Sequence, residues 1–188
     1  MPSQITHLAV AKRFIEKHPH VIKDMQRFFD GSVVPDLDSD KGRSHYGIRT
    51  EKDDILKYNR EKVNPEKFLA THNLSDDFDK GQYLHLYVDY KCYNEFLLDY
   101  FHQDKPSKQI NIDIYEASRR DDEYLSKKYG VTYADTSYAH ELEVLNATWD
   151  NEAAEKRRQP GCCFDMPYDL DALEKFIEKM SDTELPEM

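Results

Sequence analysis

The chain of 188 residues lacks any long apolar run. No stretch approaches the roughly 20 apolar residues that a membrane-spanning helix requires. Residues 1–14 also lack the basic segment followed by an apolar one that marks a signal peptide. Only three cysteines occur, and two of them are adjacent, which is not the pattern of a disulfide framework. These absences predict a cytoplasmic protein without a membrane span.

Glycine is also scarce, with 6 residues in the whole chain. Neither of the common glycine-rich loops that cradle nucleotide phosphates is present. None of the eight histidines is followed directly by aspartate, which excludes the simplest signature of the His-Asp phosphohydrolases. The net charge of −11 would repel a phosphate backbone, so no stable complex with nucleic acid is expected.

What the chain does contain is apolar residues at helical spacing, including 13 Tyr and 9 Phe, and no series of alternating strands. We therefore predict a single all-α domain over residues 1–188. The glycines, Pro35 and the alternating Asp and Ser of residues 31–47 predict a loop, with Gly31 as the C-cap of the preceding helix. The expected helices cover residues 3–17, 21–30 (with Ile22, Met25, Phe28 and Phe29 inward), 51–62, 65–72, 76–101, 110–129, 138–156 and 168–180.

Residues 81–101 are apolar on almost every side, which is typical of a buried helix. His85 and Asp89 lie within this stretch, four residues apart, so both side chains project from one helix face. A buried carboxylate is costly unless it is paired or binds a metal. Two interpretations follow: a hydrogen-bonded pair that fixes helix packing, or part of a metal site, which needs three or more protein groups.

The His-x3-Asp spacing is not informative by itself, because it occurs three times in the chain. The other two instances are His20 with Asp24 and His72 with Asp76. Both lie in polar surroundings, where solvated surface pairs are expected. The apolar residues around the central pair are what distinguish it.

Further histidines and acids precede the central helix in a fixed order. They are Thr6-His7, then Gly31 to Pro35-Asp36, then Ser44-His45-Tyr46, and finally Tyr83-Leu84-His85 with Asp89. This series resembles the bacterial zinc-dependent phospholipase C superfamily, in particular its cytoplasmic members. It is distantly similar to the single-strand-specific zinc nucleases. The resemblance covers residues 1–101, roughly half of the chain. It implies a multi-helix domain of that type built around the buried central helix, with further helices over 110–180.

The resemblance also implies a metal site that holds one or two zinc ions or another divalent transition metal. Imidazole and carboxylate groups suit such ions. Asp36 and Asp89 are assigned to catalysis as well, and Asp89 can bridge two ions. A metal-bound water would then cleave a phosphoester, with a small intracellular phosphoester as the expected substrate class. The implied metal ligands are His7, Asp36, His45, His85 and Asp89.

The chain departs from the superfamily beyond the central pair. Glu95 stands where the fuller three-metal sites have a histidine, and Val144 stands four residues after His140 where they have a glutamate. The nearest substitute is His140 with Glu143. One or two ions are therefore expected instead of three. These departures leave an alternative open: a non-catalytic helical binding or scaffold protein that keeps a structural metal or a buried His–Asp pair. No motif selects the substrate or the oligomeric state.

Overall fold

The computed structural model describes residues 2–48, 61–158 and 165–186. Within these ranges the protein is helical and has no β-sheet, apart from an isolated antiparallel bridge between Tyr46 and Val63. The all-α prediction is confirmed there. A π-helical turn, Cys92–Phe96, follows α5, and a 3-10 helix, Tyr133–Asp135, precedes α9. The α-helices are α1 (Gln4–Lys17), α2 (Met25–Leu37), α3 (Lys41–Ser44), α4 (Pro65–Leu69), α5 (Asp77–Lys91), α6 (Leu98–Phe101), α7 (Ser107–Arg120), α8 (Asp122–Tyr129), α9 (Ala139–Arg157) and α10 (Leu170–Ser181).

Most helix boundaries follow local signals in the sequence. Ser3 caps α1 by accepting a hydrogen bond from the Thr6 amide, and Asp76 caps α5 in the same way through the Phe78 amide. Gly130 ends α8 with a φ of 62°, in the left-handed region that favours glycine. The helix predicted over 51–62 falls largely outside the described residues, and so do the two adjacent cysteines.

Helix α2 differs from the prediction. It begins after Asp24 and runs through Gly31 and Pro35 to Leu37. The C-cap at Gly31 and the loop starting there were therefore wrong predictions. Met25, predicted to face inward, is 53% exposed. Glycine and proline predict the end of a helix only when contacts with other helices are left out of account. In α2, Gly31 is required because its lack of a side chain allows another helix to pack closely against it.

The contact in question is the crossing of α2 and α5, the most extensive packing between two helices in the described part of the chain. A Cβ at Gly31 would lie 2.0 Å from the carbonyl oxygen of Phe78, and one at Gly81 would lie 2.2 Å from that of Phe28. Each glycine thus admits the backbone of the other helix. The crossing places α2 beside the face of α5 that carries the central His–Asp pair.

The apolar core is continuous from the first helix to the last. It includes Phe14, Phe28, Leu84 and Ile177, each at most 1% exposed. Helix α10 packs its apolar face on α1, as its amphipathic pattern predicts. None of the described helices is long and apolar enough to cross a membrane.

A half-buried acid, Asp122, anchors the start of α1. It accepts a hydrogen bond from Ser3 Oγ, and Arg119 Nη1 lies 2.7 Å from its Oδ2 atom. Burial raises the pKa of Asp122 from 3.8 to about 6. Folding therefore shifts this group toward its protonated form relative to the unfolded chain. The stability contributed by this group is fully present below the unfolded pKa and is lost as the pH rises through the folded pKa.

Asp122→Asn should therefore change the pH dependence of stability. The variant should gain on the order of 2 kcal/mol in unfolding free energy relative to wild type between about pH 4 and about pH 7. Arg119 keeps Asp150 and Asn146 as partners, so its charge is not stranded. Urea unfolding across this pH range tests the expectation, with Asp104→Asn as the exposed control. A difference between variant and wild type that does not change with pH would contradict it.

Candidate metal centre

The structure brings the five predicted ligands together from four segments of the chain. His7 comes from α1, Asp36 from the last turn of α2, and His45 from the residue after α3, while His85 and Asp89 come from α5. All five are buried, at no more than 2% exposure each. Residues separated by up to 82 positions thus form one polar cluster inside an apolar core.

Asp89 is the centre of the cluster. Its Oδ1 atom lies 3.4 Å from Nε2 of His7, and its Oδ2 atom lies 3.4 Å from Nε2 of His45 and 4.0 Å from Nε2 of His85. These contacts lack hydrogen-bond geometry. Both Asp89 oxygens and both His7 nitrogens are buried without a hydrogen-bond partner in the described part of the protein. Buried polar atoms of this kind are rare, and a bound ion is one of their recognised explanations.

The histidine rings are also oriented for ligation. His85 Nδ1 lies 2.9 Å from the Ser32 carbonyl oxygen, which can only accept, so Nδ1 carries the proton and Nε2 presents a lone pair. That Nε2 atom lies 3.3 Å from Nε2 of His45. Ser44 Oγ, 2.8 Å from His45 Nδ1, can accept a hydrogen bond from it. Two imidazole lone pairs then face each other, an arrangement that a shared cation stabilises.

Electrostatics keeps the groups in the protonation states that bind metals. Burial lowers the pKa of His85 to about 3, so this imidazole is neutral near pH 7. Burial alone would raise the pKa of Asp36, but the Lys41 ammonium holds it below its ordinary value. Burial acts in the same sense on Asp89, and two facing imidazoles hold the pKa of that acid well below its ordinary value. Both acids are therefore carboxylates.

Two overlapping groups of three residues offer ligand atoms within 4.8 Å of one another. Three protein ligands are the number found in catalytic zinc sites, where a further position stays open. The imidazole and carboxylate donors, together with the unpartnered atoms of His7 and Asp89, fit one or two divalent transition-metal ions. The groups are His7 with His85 and Asp89, and Asp36 with His45 and His85.

The substitute ligands considered from the sequence lie outside the centre. Glu95 pairs with Lys91 and with Lys179, the latter at 2.8 Å, and is 41% exposed. His140 and Glu143 are exposed on α9. The other two His-x3-Asp aspartates have structural roles, since Asp24 caps α2 and Asp76 caps α5.

Sequence reasoning missed two residues that hold Asp36. Gln4 is fully buried and donates from Nε2 to Asp36 Oδ2 at 2.6 Å. Lys41 Nζ lies 3.3 Å from Asp36 Oδ1. A signal for Gln4 was available, because it lies three residues before His7 on the same face of α1. Lys41 stands in a polar loop sequence and gave no such signal.

Lys62 was missed as well. It is 8% exposed, and its Nζ atom lies 4.6 Å from the ring centroid of Tyr93, one helical turn beyond the central aspartate. Burial lowers the pKa of Lys62, while the negative charges of Asp89 and Asp36 oppose that shift. The bridge between Val63 and the residue after His45 brings Lys62 to the centre. No local pattern predicts such a pairing.

Comparison with known proteins does not assign this protein to a class. No protein-family model, no curated protein and no solved structure matches the chain. The likeness to the zinc-dependent phospholipases C consequently depends on the motifs of residues 1–101 alone.

Proposed function

We propose that this protein is a metal-dependent hydrolase, best suited to zinc, that cleaves a small phosphoester. One or two ions would be held by His7, Asp36, His45, His85 and Asp89. The convergence of three buried imidazoles on Asp89, whose oxygens have no hydrogen-bond partner in the described residues, is the main support for the metal. The motif order that resembles zinc-dependent phospholipase C supports the reaction class.

The chain's own residues prepare the centre for this chemistry. When bound, a divalent ion supplies a Lewis acid that activates water near neutral pH and stabilises charge on a phosphoryl oxygen. Asp89 directs one oxygen to His7 and the other to His45, so it can serve two ions. The Ser32 carbonyl holds the His85 ring with Nε2 free. These supporting contacts orient the ligands before any ion binds.

Local charge is compatible with an anionic substrate of limited size. Lys41 pairs with Asp36, and Lys62 interacts electrostatically with both acids, so their negative charges are partly balanced. The whole chain, in contrast, carries a net charge of −11, which disfavours long polyanions such as nucleic acid. A small phosphoester satisfies both conditions.

A second candidate function is a structural metal site in a non-catalytic binding or scaffold protein. The observation that favours it is the burial of all five ligands, at no more than 2% exposure. Structural sites are closed by protein ligands, whereas catalytic sites keep a position open for water and substrate.

Metal content and activity separate these functions. Protein purified without added metal should carry at least ~0.5 equivalent of zinc or another divalent transition metal by elemental analysis. The metal-loaded protein should hydrolyse at least one member of a panel of small phosphomonoesters and phosphodiesters, and a chelator should abolish the activity. Less than about a tenth of an equivalent of metal would contradict both candidates.

The activity panel then decides between the two. Bound metal with hydrolysis supports the hydrolase. Bound metal without hydrolysis of any panel substrate, combined with loss of stability on chelation, supports the structural site. The exposed variant His20→Ala is the control and should match wild type in both measurements.

A further inference from the structure

Gln4 makes one strong contact, and that contact is with a predicted metal ligand. Its side chain is fully buried in the first turn of α1. The Nε2 atom donates to Oδ2 of Asp36 at 2.6 Å, and this acceptor lies 32 residues away on α2. The hydrogen bond is charge-assisted, because Asp36 is held as a carboxylate, and bonds of this kind are shorter and stronger than neutral ones.

Because of this contact, the two oxygens of Asp36 face different partners. Oδ2 is occupied by Gln4, while Oδ1 faces Nε2 of His45 at 3.7 Å and Nζ of Lys41 at 3.3 Å. Rotation of the carboxylate would break the Gln4 bond. Gln4 therefore fixes the orientation of the carboxylate in which one oxygen is turned toward the histidines that complete one group of candidate ligands.

The other end of the Gln4 amide supports a role beyond packing. A carboxylate only accepts, so Nε2 must face Asp36 and Oε1 must point away from it. Oε1 is buried without a hydrogen-bond partner among the described residues. A half-satisfied buried amide is a poor way to stabilise a core, where an apolar side chain of the same volume avoids the loss.

We propose that Gln4 is a positioning residue, which orients Asp36 so that Oδ1 ligates the metal. This inference rests on the metal centre of the proposed function but not on its catalytic activity. Groups that orient metal ligands typically change metal affinity by about 10- to 100-fold when they are removed. Gln4 thus adds a second contribution of α1 to the centre, next to the ligand His7.

Titration of metal-free protein with Co²⁺ tests the proposal. Gln4→Met keeps the side-chain length but cannot donate, and it should weaken Co²⁺ affinity by roughly 10- to 100-fold and alter the visible spectrum of the bound ion. Gln4→Asn keeps the amide on a shorter chain and provides a milder variant if Gln4→Met does not fold. Ile5→Val, a buried change on the same helix, should leave affinity and spectrum unchanged.

A double-mutant cycle shows whether Gln4 acts through Asp36. Asp36→Asn should weaken Co²⁺ binding, and Gln4→Met added to it should weaken binding no further. Additive losses, or wild-type affinity and spectrum in Gln4→Met, would overturn the proposal and leave the metal centre intact. Absence of Co²⁺ binding by wild type would overturn the metal centre itself. Binding without phosphoesterase activity would overturn only the hydrolase.

Discussion

Gly31→Ala is expected to reduce the stability of the protein by about 3 kcal/mol or more and to abolish metal binding. The added methyl group would lie 2.0 Å from the carbonyl oxygen of Phe78, and the neighbours are backbone atoms that cannot rotate away. Replacing a helical glycine by alanine normally increases the stability by about 1 kcal/mol. Here the steric clash is larger, so the net effect on stability is a loss. Helices α2 and α5 must separate, and the separation draws Asp36 away from His85.

Urea unfolding and elemental analysis of the purified variant measure both effects. Gly81→Ala should behave in the same way, since its methyl group would meet the backbone of Phe28 at 2.2 Å. Gly130→Ala is the matched control. No atom lies within 4 Å of a Cβ there, so only the left-handed φ of 62° is penalised, at about 1 kcal/mol, and metal binding should persist. Wild-type stability in Gly31→Ala would disprove the close crossing.

Asp89→Asn is expected to eliminate the stabilisation that metal provides. Asp89 belongs to one candidate ligand group and contacts His45 in the other, so its loss affects both. At a metal concentration ~100 times Kd, wild type should gain about 2.7 kcal/mol in unfolding free energy, and the variant should gain almost nothing. Without metal the variant should be less stable than wild type near pH 7, because the two facing imidazoles that hold the pKa of Asp89 low also stabilise its carboxylate in the folded protein.

The unfolding free energies of variant and wild type are measured with Zn²⁺ and with a chelator. Asp99→Asn removes the same charge from an exposed position on α6 and should reproduce wild type in both conditions. Equal stabilisation of Asp89→Asn and wild type by Zn²⁺ would remove Asp89 from the metal site.

Much of the helical framework was predictable because its signals are local. Ser3 and Gly130 mark helix ends through hydrogen bonds and φ values that involve only neighbouring residues. The apolar pattern of α10 likewise identified the face that packs on α1. Helix α2 was misjudged at Gly31 and Pro35, since a glycine that admits another backbone looks the same in sequence as one that ends a helix.

The candidate site was predictable in part. The order of the motifs predicted His7, Asp36 and three further residues as candidate ligands, and the fold brings all five together. The supporting residues Gln4 and Lys62 were not identified, because their roles depend on interactions with residues 26 or more positions away. Glu95 remained a candidate ligand in sequence, and its ion pairs with Lys91 and Lys179 place it on the surface instead.

The sequence by itself determined that the chain is helical and which polar residues stand in apolar surroundings, because periodicity and capping act within a few residues. The tertiary structure decided that these polar residues meet. Asp36 and His85 lie 49 positions apart and approach each other only because Gly31 and Gly81 let α2 and α5 cross at backbone contact. Burial at that crossing leaves Asp89 without a hydrogen-bond partner among the described residues, and this is the property that a metal ion would satisfy.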